Sequence, residues 1–279
     1  LAALTEQTID VGPLQWFYRE VTPVTPSDRL PVVLLHGLLA QSWSWKEVMP
    51  VLADQGLRAI APDWIGHGLS SKADSRSFAY TADAFAQALG DLLEALELNE
   101  VALVAQGYLG AAGIRYALSH PDRVKRLAIF NAPIVPEANW PWKLQQLGLP
   151  LVGDMLVQDP LVVDRTLEGG GGYQVEEEDL KIFRKPFLTT SAAGRSIKSI
   201  VQKLKPSPLG AELAEGLSQW PHPVLLAWGD RDPWLPWSQV EPLLPRLKLK
   251  DVALLEEVGH YPQLDWPEKV LDALRPFLR

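Results

Sequence analysis

From Pro31 onward, short apolar runs recur along the chain, each closed by Gly, Pro, Asp or Asn: VVLLHG, LRAIAPD, VALVAQG, RLAIFNAP, PVLLAWGD and DVALLEEVG. Runs of this length without polar alternation mark parallel strands buried on both faces. Between the second and third lies TADAFAQALGDLLEALEL, where Phe85, Leu89, Leu92, Leu93 and Leu96 fall at helical spacing. Thr81 is placed to cap its first turn. Strands alternating with amphipathic helices predict an α/β fold, a doubly wound sheet with helices on both faces. Ahead of them, QTIDVG and LQWFYREV read as a hairpin, which brings the sheet to eight strands, mostly parallel.

The alternation stops after Asn131 and resumes at Pro223. The intervening stretch holds proline-punctuated helical segments and no buried strand. It predicts a helical insert over residues 132–218 that divides the core into 1–131 and 219–279. Within it, Gly169 to Gly172 form a four-glycine run with no following Gly-Lys-Ser/Thr, so a mobile loop is expected there and not a phosphate cradle. The acidic run EEED at 176–179 reads as a solvated helix start.

Composition removes several function classes. With 47% hydrophobic and 22% charged residues, the balance is that of a soluble globular protein. A net charge of −8 with no basic block argues against nucleic acid as a partner, and against simple electrostatic docking on an anionic membrane. The absence of cysteine excludes disulfides, thiolate metal sites and a Cys nucleophile. It fits the cytoplasm or another reducing soluble compartment. No apolar run approaches the ~20 residues of a membrane-spanning helix. The opening LAALTEQTID is too short and too polar for a signal peptide. Five histidines without close pairing give no metal site, and no motif asks for a cofactor.

Candidate chemistry sits at the ends of the strands. LLHG closes the first buried run and PDWIGHGLS follows the second; VAQGYLG follows the third, and WGDRDPWLP then VGHYPQLDWPEKV follow the last two. Together these resemble the α/β-hydrolase superfamily, and within it the capped branch of haloalkane dehalogenases and epoxide hydrolases. The resemblance covers nearly the whole chain and is weakest in residues 132–218. It implies the α/β-hydrolase fold, with the helical insert as a cap over the carboxyl ends of the strands. It also implies a site. The family's small-x-nucleophile-x-small turn falls on Ala105, Gln106, Gly107, Tyr108 and Leu109, its acid on Asp232 and its histidine on His260. The oxyanion hole would use the backbone N–H groups of Leu38 and Tyr108.

The departures carry as much weight as the matches. Glycine at 107 can attack nothing, and residues 101–113 contain no Ser, Cys, Thr or Asp to replace it. Tyr108 stands where a dehalogenase has a halide-holding Trp, and Leu38 is a poor halide contact, so halide chemistry is not supported. Leu109 occupies a position that is normally small and is expected to crowd the turn or force it open. Glycine adopts the strained backbone of such a turn freely, so Gly107 keeps the turn and discards the attacking group. His36 and His67 in their HG turns are expected to be structural, and Asp63 to cap the turn that follows it. Ser42 and Ser44 are expected to cap a helix start.

Eleven tryptophans are many for this length. Trp43, Trp140, Trp142 and Trp234 fall in or beside loops that would surround the pocket mouth, so an aromatic lining for an apolar ligand is expected. Two functions from different classes follow. One is a non-hydrolytic binder of an apolar small molecule or of a protein partner. The other is an enzyme without a covalent step, in which an Asp232–His260 dyad activates water or abstracts a proton. In a triad enzyme, loss of the nucleophile leaves only ~10³–10⁴-fold acceleration over water. That residue of rate suits none but an already reactive substrate, and the balance tips towards binding.

Overall fold

All six apolar runs form strands in the computed structural model, which describes residues 3–25 and 27–279, so the first two residues of LAALTEQTID lie outside it. The hairpin is β1 (Thr5–Val11) and β2 (Leu14–Val21). The core strands are β3 (Val32–Leu35), β4 (Ala59–Pro62), β5 (Val101–Gln106), β6 (Val124–Phe130), β7 (Val224–Gly229) and β8 (Asp251–Leu255). They make one eight-stranded sheet in the order β1-β2-β4-β3-β5-β6-β7-β8. β1 pairs antiparallel with β2, and β2 with β4; every later pairing is parallel. Strands β3 to β5 and β7 are buried throughout, as unbroken apolar runs require. The expectation fails at β8, where Val252 and Leu254 are each 45% exposed, because this strand is the edge of the sheet and only part of it is covered.

Helices α1 (Val48–Asp54), α2 (Ala82–Ala95) and α3 (Gly107–Ser119) follow the early strands. The Thr81 hydroxyl accepts from Ala84 N–H at 3.2 Å, which caps α2 as its sequence predicts. Between β6 and β7 come α4 (Trp142–Gln145), α5 (Val152–Leu156), α6 (Leu161–Gly171), α7 (Glu177–Thr189), α8 (Ser191–Lys203) and α9 (Pro206–Gln219), with no strand among the described residues. The core closes with α10 (Trp237–Val240), α11 (Pro262–Asp265) and α12 (Pro267–Leu278). Among the described residues, no helix is long and apolar enough to cross a membrane.

The glycine run is not a loop. Gly169 to Gly171 are the last turn of α6, and Gly172 ends it in the left-handed conformation at φ +82°. Glycine is needed there for contact. A Cβ on Gly170 would lie 2.6 Å from the Trp234 ring and 2.8 Å from that of Tyr261. A Cβ on Gly171 would lie 2.4 Å from Asp265 Oδ1. The acidic run is likewise only partly solvated: Asp179 accepts from Trp43 Nε1 at 2.8 Å and from Lys46 at 2.7 Å, pinning α7 to the core.

Candidate active site

Asp232 lies in the loop after β7 with its carboxylate fully enclosed. Oδ1 accepts from the backbone N–H groups of Trp234 (2.8 Å) and Leu235 (3.0 Å). Oδ2 accepts from Asn131 Nδ2 at 2.8 Å and lies 2.8 Å from His260 Nδ1. Four donors on one carboxylate suit its ionised form, which can only accept. The proton of the pair therefore sits on His260 Nδ1, and Nε2 is left as the acceptor. Nε2 is buried and has no hydrogen-bond partner among the described residues.

That nitrogen faces Gly107. Gly107 opens α3 at φ +72°, a conformation that glycine reaches without strain. A Cβ there would lie 3.3 Å from His260 Nε2 and 3.0 Å from Gly37 Cα. Gly37 immediately precedes Leu38, and Tyr108, second in α3, has an N–H with no acceptor inside the helix. Leu109 does not open the turn: it is fully buried in the apolar core, and α3 runs through it without a break. The close approach of strand and helix falls one residue later, where a Cβ on Gly110 would lie 3.0 Å from the Ala105 backbone.

Three loops meet through one buried amide. Gln106 Nε2 donates to the His260 carbonyl at 2.7 Å, and Oε1 accepts from Gly37 N–H at 2.8 Å and from Gln263 Nε2 at 3.1 Å. The cap adds a fourth tie, since His260 N–H donates to the Gly170 carbonyl at 2.8 Å.

Aromatic rings enclose the imidazole. Trp234, Tyr261 and Tyr108 have ring centres 4.7, 5.0 and 5.4 Å from that of His260. Tyr261 donates its hydroxyl to the Leu38 carbonyl at 2.8 Å, and Tyr108 to the Asn139 carbonyl at 2.7 Å. Burial pushes both phenols above their usual range, so both stay protonated donors. Trp140 stacks on Tyr108 at 4.5 Å and is tied to Leu204 O.

Two of the four tryptophans expected to line the site are elsewhere. Trp43 is engaged by Asp179 and by the Arg19 and Lys46 cations. Trp142 is 66% exposed on the outside of the cap. Loop position alone did not say which way each ring turns. Gly107, Tyr108 and His260 are buried, and a cleft of about 740 Å³ lies away from them, between α9 and residues 238–246.

The remaining candidates are structural. His36 donates Nδ1–H to Gly37 O and accepts from Trp64 N–H; burial pushes it down to about 4. His67, also pushed down by burial, accepts from Leu39 N–H. Asp63 accepts from Ser42 N–H and Leu69 N–H, each at 2.7 Å. Ser42 and Ser44 cap nothing: their hydroxyls accept from Arg19 and Gln263, and the short helix they belong to has no side-chain cap. Asn131, Gln106, Tyr261 and Gly170 were given no part in positioning the site from the sequence. NAP after the fourth buried run and Tyr next to His260 are the faint signals for Asn131 and Tyr261.

Comparison with known proteins agrees with the fold. A haloalkane dehalogenase of Psychrobacter cryohalolentis is 26% identical over 266 residues, covering 91% of this chain and 84% of the relative. A cis-3-alkyl-4-alkyloxetan-2-one decarboxylase of Xanthomonas campestris is also 26% identical, over 91% of this chain and 89% of its own. The crystal structure of a haloalkane dehalogenase from Bradyrhizobium elkani superposes with a TM-score of 0.86 at 26% identity, covering 99% of this chain and 98% of that one. The model of a family described as alpha/beta hydrolase fold matches residues 31–267. With the eight-stranded sheet, the inserted helices and an Asp–His pair at the strand ends all in place, the chain belongs to the alpha/beta hydrolase fold family, similar to its haloalkane dehalogenases.

Proposed function

We propose that this chain is a non-hydrolytic member of its family: Gly107 stands at the nucleophile position, and the protein binds an apolar small molecule between core and cap. One observation carries this. Among the described residues, His260 Nε2, oriented as a base would be, has no hydroxyl, thiol or carboxylate within hydrogen-bond reach. An acyl, alkyl or glycosyl intermediate needs such an atom. The dehalogenase chemistry of the relatives does not transfer, for a carboxylate at 107 would be its first requirement. The ligand is expected to be apolar, to match the Trp234, Tyr108 and Tyr261 rings, and to carry one O–H or N–H for Nε2. An unpaired buried acceptor costs about 1–3 kcal/mol, and such a donor relieves it. Entry requires movement of the cap, because the site is closed.

Native mass spectrometry of the purified protein, with solvent extraction of whatever accompanies it, tests the reading. A stoichiometric apolar compound that is lost in His260→Phe is the expected result. An empty protein that binds no apolar probe would remove the proposal.

The four-donor cradle of Asp232 favours a second reading, since it holds His260 in the tautomer of a general base. There His260 would draw a proton from water or from an acidic substrate, and the N–H groups of Leu38 and Tyr108 would stabilise the developing charge. Turnover of an activated ester that is abolished in His260→Gln, without covalent labelling by a fluorophosphonate, would select it over binding.

A further inference from the structure

The cap carries a surface that neither reading uses. Outside the site, Trp142 is 66% exposed, Leu151 83% and Met155 71%, with Leu149 and Val152 beside them. These residues belong to α4, α5 and the turn between them. Leu151 is held at φ +61°, a positive value that disfavours leucine. The patch is firmly seated from beneath: Gln202 of α8 donates to Gly148 O at 2.7 Å, and Lys198 pairs with Asp154 at 2.6 Å.

One stretch of the cap departs from the acidic balance of the whole chain, although three of its cations, Lys181, Arg184 and Lys198, are paired with acids outside it. The net charge is −8, yet residues 180–211 contain seven Lys and Arg and no Asp or Glu. Asp154 and Asp159, the acids of α5 and the turn after it, are paired with Lys198 and Arg165. Lys143, Arg195, Lys203 and Lys205 are exposed and, among the described residues, have no carboxylate partner. Lys143 follows Trp142 directly. Lys203 follows Gln202, whose side chain holds Gly148, and Lys205 follows Leu204, whose carbonyl holds Trp140.

We propose that this face of the cap docks on an anionic lipid surface. Trp142, Leu151 and Met155 enter the headgroup boundary while the unpaired lysines and Arg195 meet lipid phosphates. An aromatic and long aliphatic side chains at the water–lipid boundary, flanked by basic residues, is the chemistry such a surface recognises. A protein partner would need carboxylates set around its own apolar patch, which is a narrower requirement. The acidic remainder of the chain limits docking to this one face, so attachment is reversible and weakens with salt.

Flotation of the full chain with phosphatidylcholine vesicles, and with vesicles holding roughly a third phosphatidylglycerol, tests the proposal. Binding to the anionic vesicles is expected to exceed that to the neutral ones more than tenfold and to fall at least fivefold in half-molar salt. Leu151→Asp with Met155→Asp, and separately Lys203→Glu with Lys205→Glu, are each expected to lose more than tenfold while thermal melting stays unchanged. A vesicle-induced blue shift of tryptophan emission is expected to shrink in Trp142→Phe. No flotation, equal binding to both vesicles, or apolar variants that float like the parent would overturn it. So would a concentration-dependent dimer in sedimentation that the Leu151→Asp variant abolishes, because the patch would then belong to a second copy of the chain.

Discussion

The backbone N–H of His260 donates to the carbonyl of Gly170 at 2.8 Å, so the last turn of a cap helix is bonded directly to the loop that carries the imidazole. The approach extends on both sides. A Cβ on Gly259 would lie 2.3 Å from Gly171 O, and Gly259 N–H donates to Asp265 at 2.8 Å. Cap and site are therefore one packed unit, and any opening of the cap must release His260 from this bond.

Two substitutions in the glycine run separate contact from conformation. Gly170→Ala drives a methyl into Trp234 and Tyr261, rings that cannot both retreat, and is expected to destabilise the fold by ~1–3 kcal/mol. Gly169→Ala meets nothing within 4 Å, and its gain in helix propensity is expected to stabilise by ~0.5–1 kcal/mol. Urea unfolding of both checks the pair. Equal effects of the same sign would mean that α6 does not press on the site.

That contrast also marks where the sequence stopped being readable. Strands β3 to β5 and β7 were legible because burial on both faces leaves an unbroken apolar run. Asp232 and His260 were legible because each sits in a short motif at the end of such a run. Gly169 to Gly172 were not, because a glycine chosen for helix–loop contact and one chosen for a loop look alike until the partner is known. Trp43 and Trp142 misled for a related reason: a ring beside the site in sequence can turn to Asp179 or to solvent. Leu109 misled by one position, since the tight approach to β5 falls on Gly110.

Asp265 should make stability depend on pH. Burial pushes its carboxyl up to about 7, whereas an unfolded aspartate titrates near ~3.9. Between these values the folded chain holds a proton that the unfolded chain has released. This contribution is thus fully present at low pH and declines as pH rises towards 7. Asp265→Asn keeps an oxygen for Gly259 N–H and carries no charge. It is expected to melt a few degrees higher than the parent at pH 8, with the difference shrinking towards pH 4. A difference of the same size at both pH values would show that burial of the charge is not its source.

Gly107→Ser tests the proposed loss of a nucleophile at this turn. A Cβ at 107 points to His260 Nε2 at 3.3 Å, so a hydroxyl would be on the correct side of the imidazole. It would not sit freely there. The φ of +72° costs a non-glycine residue ~1–3 kcal/mol, and Gly37 Cα at 3.0 Å is too near for the Cβ without a shift of the loop. The loop cannot move alone, because Gln106 binds it to the His260 carbonyl. A hydroxyl displaced by ~1 Å loses about 10²-fold in rate. The variant is therefore expected to label slowly with a small fluorophosphonate, and to turn over p-nitrophenyl esters little or not at all. Adding Leu109→Gly is not expected to rescue it, since Leu109 is buried in the core, where even truncation to alanine costs ~2–5 kcal/mol. Rapid turnover by the single variant would show instead that the site is a complete hydrolase apparatus lacking one oxygen atom.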